Sequence, residues 1–424
     1  ALTARAADDG ELLEIYIGTA HNGLLRQTAS GRQDRIQAGI PGRMHDGSIT
    51  FYEEITHLEY KDQKVRFRTL MQPHECTLEG LRAQCEPTDS AQPGIPDVAF
   101  KVPHPESRKT VRGFYIAPSS VRRPQVDALI AGNAFNAAVI DFKDDHGRLI
   151  AGSKIAEAQA MKNDQERAPI ASLLKKLKSK KIHTIARIVV FKDGRALSYQ
   201  KGQHAVKSKG GGIWQGKTEE DRWIDPFSEW AQTYNLKVAL EAEAMGFDEI
   251  QFDYIRFPSD GPIGLCRFTH MPGDAYKSEA LEAFLRRARS HLKVPISADL
   301  FGYNAIYRAG GVIGQDFLDI GEFVDIISPM HYPSHFGTAF MRETPYNDRA
   351  YELLRTSCTY ASKRAQGRFL LRPWLQAFDM MSNVWGYGPA YFQGQARGAT
   401  EGGCHGDLWW GSLDDMRRVD QAFQ

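Results

Sequence analysis

From Val111 onward the chain alternates short apolar, β-branched runs with helical stretches, and this rhythm restricts the fold more than any other feature of the sequence. The runs are Val111–Pro118, Ala137–Phe142, Thr184–Phe191, Glu249–Ile255, Pro295–Phe301, Val324–His331, Phe369–Ala377 and Asp407–Gly411. Strands that alternate with helices build βα units around a parallel sheet. Eight such units within about 300 residues are the number and length of a closed (β/α)8 barrel. Helical spacing is clearest over Ile170–Lys180, Pro226–Met245 and Ser278–Leu292. Asp225 followed by Pro226 reads as an N-cap with proline in the first turn, and Gly246 as the C-cap that releases the chain into the fourth strand. The basic run Lys175–Lys181 has the interval of a solvated helix face.

The first part of the chain has another texture. Alternating runs such as Glu14–Gly18, Ser48–Glu53 and Lys64–Leu70 lie between Gly, Asn and Asp turn signals, which predicts a β-rich accessory domain over residues 1–86. The phrase from Ile15 to Leu24 has the form of one strand-turn-strand element of a propeller blade, and one copy cannot close a propeller. Residues 87–110, with five prolines between Pro87 and Pro105, read as a linker, and residues 111–424 as the barrel.

Charge excludes some partners. With 53 Lys and Arg against 52 Asp and Glu, no overall field favours nucleic acid or an anionic membrane, and no apolar stretch reaches the roughly 20 residues of a membrane span. Five cysteines occur, none in the C-x2-C spacing of a zinc site; Cys76 and Cys85 form the best disulfide candidate for an exported protein, while free cysteines suit a reducing compartment. The chain carries no phosphate-binding glycine loop, no His-Glu-x-x-His and no Gly-x-Ser-x-Gly, so no cofactor and no metal is expected. His331 and His335 are spaced for a metal with Asp299, but Pro333 between them opposes the helix that would align them.

Active sites of parallel barrels are assembled where the strands end, so the polar residues closing each run are the candidates. With Ile250 and Phe252 on one face of the fourth strand, Gln251 and Asp253 share the barrel-facing side. Glycoside hydrolysis needs two carboxyl groups, and Asp253 and Asp299 close consecutive strands, with Asp141 in reserve. Arg256 or Arg187 would pair with Asp253 or clamp substrate, and Asp141 would otherwise hold Lys143 or Arg187. Arg187, Lys143, Arg256, Tyr303, His331, Tyr332, Trp374, Gln376 and Trp410 are the expected sugar contacts, aromatic rings stacking on C–H faces while polar groups bind hydroxyls.

Four phrases add a resemblance: Phe135 to Gly147 (FNAAVIDFKDDHG), Ile185 to Asp193 (IARIVVFKD), Trp223 to Pro226 (WIDP) and Gly246 to Pro258 (GFDEIQFDYIRFP). On these the stretch from Val111 to about Gly411 resembles a bacterial family of glycoside hydrolases with an α-amylase-like barrel. The resemblance implies a polysaccharide substrate, export to the periplasm or beyond, and a nucleophile at Asp253. The acid of the fifth strand, commonly Glu in that superfamily, would here be Asp299, and the seventh strand offers no counterpart to the superfamily's stabilising Asp. The expectation is therefore a glycoside hydrolase with Asp253 as nucleophile and Asp299 as acid/base. A non-catalytic polysaccharide-binding barrel and a metal-dependent carbohydrate esterase or deacetylase are the alternatives.

Overall fold

The structure, a computed structural model, describes strands within residues 1–100 by their backbone alone and, from His104 to Gln424, all residues except 219–220, 274, 307–311 and 338–339. It divides into two compact units, Ala1–Phe100 and Lys101–Gln424, a division that falls inside the proline-rich segment 87–110. In the first unit, Leu2–Ala6, Leu12–Gly18, Leu24–Thr28 and Gln33–Arg35 form one antiparallel meander, and Ile55–Lys61, Lys64–Thr69, Pro73–Glu79 and Arg82–Pro87 another. The second meander sets Cys76 opposite Cys85; their side chains lie outside the described residues.

The second unit is a (β/α)8 barrel. Its strands are β1 (Val111–Ile116), β2 (Ala137–Lys143), β3 (His183–Val189), β4 (Glu249–Asp253), β5 (Ile296–Phe301), β6 (Ile326–Met330), β7 in two pieces (Leu370–Leu371 and Trp374–Gln376) and β8 (Gly406–Trp410). Each pairs in parallel with the next, and β8 returns to β1 to close the ring. A helix follows every strand: α1 (Pro124–Ala131), α2 (Ile170–Ser179), α3 (Glu229–Met245), α4 (Lys277–His291), α5 (Phe317–Gly321), α6 (Arg349–Ala365), α7 (Pro389–Glu401) and α8 (Leu413–Ala422).

Alternation along the strands divides the core in two. Ala138, Ile140, Ala186, Ile188, Ile250 and Phe252 face outward and pack with the helices. Val139, Ile185, Trp374 and Leu408 face inward and form a smaller cluster inside the ring. The helices follow their apolar spacing: α2 buries Leu173, Leu174 and Leu177 and leaves Lys175, Lys176 and Lys178 exposed. Gly246 ends α3 at φ +99°, the left-handed conformation a C-cap glycine supplies without strain.

The start of α3 differs from the expectation. Its N-cap is Ser228, whose hydroxyl accepts from the Ala231 N–H, and Asp225 is left to cap the preceding turn through the Phe227 N–H. Pro226 therefore precedes the helix, where its missing N–H costs nothing.

Candidate active site

The lower interior of the barrel is a closed ion network. Glu249 on β4 receives both bonds from one Arg372 Nη at 2.9 and 3.0 Å, the Ser297 hydroxyl at 2.6 Å and the His183 ring at 3.1 Å. Burial opposes a charge there, yet Arg372, His183 and Ser297 together hold the Glu249 carboxyl down to about 2. One layer up, Gln251 bonds Ser328.

At the strand ends the inward residues converge on Arg187. Its Nε and Nη2 donate to one Asp253 oxygen at 2.8 and 2.6 Å, Nη1 donates to Asp141 at 2.8 Å, and Nη2 also reaches Asp145 at 2.8 Å. The partner of Asp253 is thus Arg187. Arg256 lies apart, caged by the rings of Trp223, Tyr254 and Phe301 at 4.6 to 4.9 Å, with one Nη bonded to the Phe257 carbonyl and the Ser259 hydroxyl.

Asp253 keeps 6 % exposure, and its second oxygen accepts from the Tyr254 N–H at 2.6 Å. Tyr254 has φ +47°, a conformation rare for a bulky side chain and found where the chain must turn sharply at a site.

Asp299 is 1 % exposed and accepts a bond from the Trp374 indole at 2.8 Å, while its Oδ2 is buried without a partner. Burial, and next the charge of Asp253 beside it, push this carboxyl well above the usual carboxylate range. A carboxyl group raised in this way beside a second one is suited to carry a proton. Burial, and next the neighbouring Asp299 and Asp253, push the Tyr332 phenol up.

Asp141 accepts from the Tyr115 hydroxyl at 2.6 Å as well as from Arg187. Burial raises its pKa to about 6. Tyr115 stacks on Trp410 at 4.1 Å, Trp374 meets Trp410 edge-on at 5.6 Å, and Arg187 lies 5.1 Å from the Trp410 ring. One cluster therefore brings together Asp253, Asp299, Asp141, Arg187, Tyr332, Trp374 and Trp410.

Four of the other expected contacts are held elsewhere. Lys143 follows a shift in register on β2 and is fully buried against Asp193 at 2.7 Å and Asn235 at 2.8 Å. Gln376 is fully engaged by the backbone of Ser334, Phe378 and Met380, which ties the loops after β6 and β7. His331 is buried, with Cys358 Sγ 3.9 Å from its Nδ1. Tyr303 packs on Phe336 at 4.6 Å and accepts the Gly337 N–H. Sequence reasoning passed over Tyr115 and gave Asp145, at the close of the second run, no role. Tyr115 is the inward residue near the end of the first strand, a position alternation could have given. Asp145 stands two residues past a strand end, beyond the reach of alternation. Among the described residues no group of His, Cys, Asp and Glu is set to hold a metal, and no helix is long and apolar enough to cross a membrane.

Comparison with known proteins places this barrel. None of the curated proteins matches the chain in sequence. A solved protein of Ruminiclostridium thermocellum is 34% identical over 44% of this chain and 96% of its own, with a TM-score of 0.40. The PgaB (BpsB) glycoside hydrolase domain from Bordetella bronchiseptica has the same fold, with 14% identity, 74% of this chain and 97% of that one covered, and a TM-score of 0.53. A class V chitinase from Pseudomonas fluorescens aligns over 74% and 98% of the two chains at 12% identity and a TM-score of 0.47. Residues 113–414 match one family model, and the chain belongs to that family, described as "putative glycosyl hydrolase domain".

Proposed function

We propose that the barrel hydrolyses glycosidic bonds of a polysaccharide, with Asp253 as nucleophile and Asp299 as acid/base. The observation that carries this reading is the difference between two adjacent carboxyl groups. Asp253 is salt-bridged twice by Arg187, whereas Asp299 is pushed toward its protonated form by burial and by Asp253 itself. In the first step Asp299 gives its proton to the leaving glycosidic oxygen while an Asp253 oxygen bonds the anomeric carbon. In the second, Asp299 takes a proton from water as that water displaces Asp253 and frees the sugar. Arg187 and the Tyr254 N–H hold the Asp253 carboxylate in place, and Trp410 with Tyr115 offers a stacked aromatic surface to the sugar.

Asp141, raised to about 6, is the other carboxyl suited to carry a proton at this mouth. A substrate outside the cytoplasm goes with this reading, as the family resemblance implies. A binding barrel without turnover is the second reading, favoured by the engagement of Arg187 with three carboxylates, which is also how a purely structural ion cluster is built.

The test is product analysis after incubating the chain with a panel of bacterial exopolysaccharides and cell-wall glycans. A defined oligosaccharide, lost in Asp253→Asn and in Asp299→Asn, supports the hydrolase. Glycan binding with no product from the wild type sinks it and leaves the binding barrel.

A further inference from the structure

The loops that follow β1 and β2 enclose a cavity of about 460 Å3 on the same face of the barrel as the carboxylate cluster. Three arginines line it, Arg122 from the first loop and Arg148 and Arg167 from the second, against Asp144 and Glu166. Their charges are not equally spent. Arg148 donates to the buried Asp144 at 2.6 Å, and that carboxylate also accepts the backbone N–H of His146 and of Arg148. Arg122 is exposed and makes no ion pair among the described residues. Arg167 has a buried Nε without an acceptor, and its Nη2 reaches only Asn163 at 3.5 Å. The terminal N–H groups of Arg122 and Arg167 are thus left to bind an anionic ligand, to which charge-assisted hydrogen bonds are the strong ones.

The cavity adjoins the carboxylate cluster along the chain. Asp144 faces it through Arg148, and the next residue, Asp145, bonds Arg187. A polymer lying across this face would meet both.

We propose that the cavity is a subsite for an anionic sugar unit, its carboxylate or sulfate held by Arg122 and Arg167, so that the polymer bound at the barrel mouth is charged. This deepens the hydrolase reading and rests on it for the sugar nature of the ligand. Guanidinium forks suit planar carboxylates and tetrahedral sulfate alike, so a uronate and a sulfated sugar are distinguished by experiment.

The full chain is titrated calorimetrically with a galacturonate tetrasaccharide, a sulfated galactan tetrasaccharide and neutral cellotetraose. One of the anionic probes is expected to bind about tenfold more tightly than cellotetraose, as a charge-assisted bidentate contact gives, and to weaken as salt rises. The better anionic probe names the source of the charge. Arg122→Gln and Arg167→Gln are each expected to remove most of that preference while leaving the cellotetraose affinity unchanged; Arg122, exposed and without an ion pair among the described residues, tests the idea without disturbing the fold. Equal binding of all three probes, binding of none, or a preference that both variants retain overturns the proposal. The two readings fail separately. Cleavage of neutral glycans, undiminished in both variants, removes the subsite and keeps the hydrolase. An arginine-dependent anionic preference with no glycan cleaved by the wild type keeps the subsite and removes the hydrolase.

Discussion

Trp374 on β7 donates its indole N–H to Asp299 on β5 at 2.8 Å, reaching past β6, which lies between the two strands. The charge of Arg187 and this bond favour the ionised carboxylate, whereas burial and Asp253 favour the acid, and the balance lies above the usual carboxylate range. The indole also meets Trp410 edge-on, so the same ring fixes the carboxyl and supports the aromatic floor.

Trp374→Phe keeps a ring in that space and removes the donor. The Asp299 carboxyl, losing a bond to its charged form, rises further. If Asp299 is the acid, activity is lost as pH climbs through its pKa, so the alkaline limb of the pH–rate profile moves to higher pH. The loss of one positioning hydrogen bond is expected to lower kcat about tenfold. An unchanged alkaline limb would show that Asp299 is not the titrating acid.

Among the described residues Arg187 alone pairs with Asp253, Asp141 and Asp145 together, and it is itself buried. Arg187→Met leaves two buried carboxylates without their counter-charge, which costs about 3 to 5 kcal/mol when one partner of a buried pair is removed. Urea unfolding at neutral pH measures it. A cost within about 0.5 kcal/mol, the range of ordinary surface changes, would mean that the cluster contributes nothing to the fold.

The barrel was legible because eight apolar runs with helical intervals leave few other ways to bury them, and the inward side of β4 followed from a period of two. Asp253 beside Asp299 followed from the same count. Less legible was anything set by one irregular residue. The register shift on β2 puts Lys143 in a sealed pair with Asp193, and strict alternation does not announce it. Arg256 follows Tyr254, whose left-handed backbone redirects the chain, so spacing from Asp253 misplaced it and the aromatic cage was invisible. His331 and Gln376 stand at strand ends like true mouth residues, and only packing decided that Gln376 ties two loops together and that His331 is buried against Cys358.

Closure of the ring rests on a glycine. Gly406 opens β8 opposite Val111 at φ +95°, and a Cβ there would stand 2.0 Å from the Val111 carbonyl oxygen. Gly211 has the same φ of +95° with nothing within 4 Å. Gly211→Ala therefore meets only the backbone strain, about 1 to 2 kcal/mol, while Gly406→Ala adds a clash that the β1–β8 pairing must move to relieve. Thermal unfolding of the two variants is expected to separate them by at least about 1 kcal/mol. Equal destabilisation would show that β8 yields freely at its first residue.

Two buried carboxyls give the barrel opposite pH responses. Glu249, held at about 2 against an ordinary value of 4.5, stabilises the fold above pH 4.5, and that contribution is lost as pH falls toward 2. Asp141, raised from 3.8 to about 6, acts in the other direction: its contribution is complete below pH 3.8 and is lost as pH rises through 6, because the folded state binds the proton more tightly. Each shift corresponds to about 3 kcal/mol at 1.36 kcal/mol per unit. Stability from Asp141 thus declines between about pH 4 and 6, where Glu249 has already given most of its share. Asp141→Asn, which cannot ionise, is expected to flatten that decline and to be at least as stable as the wild type near pH 7, despite the weaker bond to Arg187. Urea unfolding from pH 4 to 7 decides it: parallel curves for the two proteins across that range would mean that Asp141 titrates as it does in the unfolded chain.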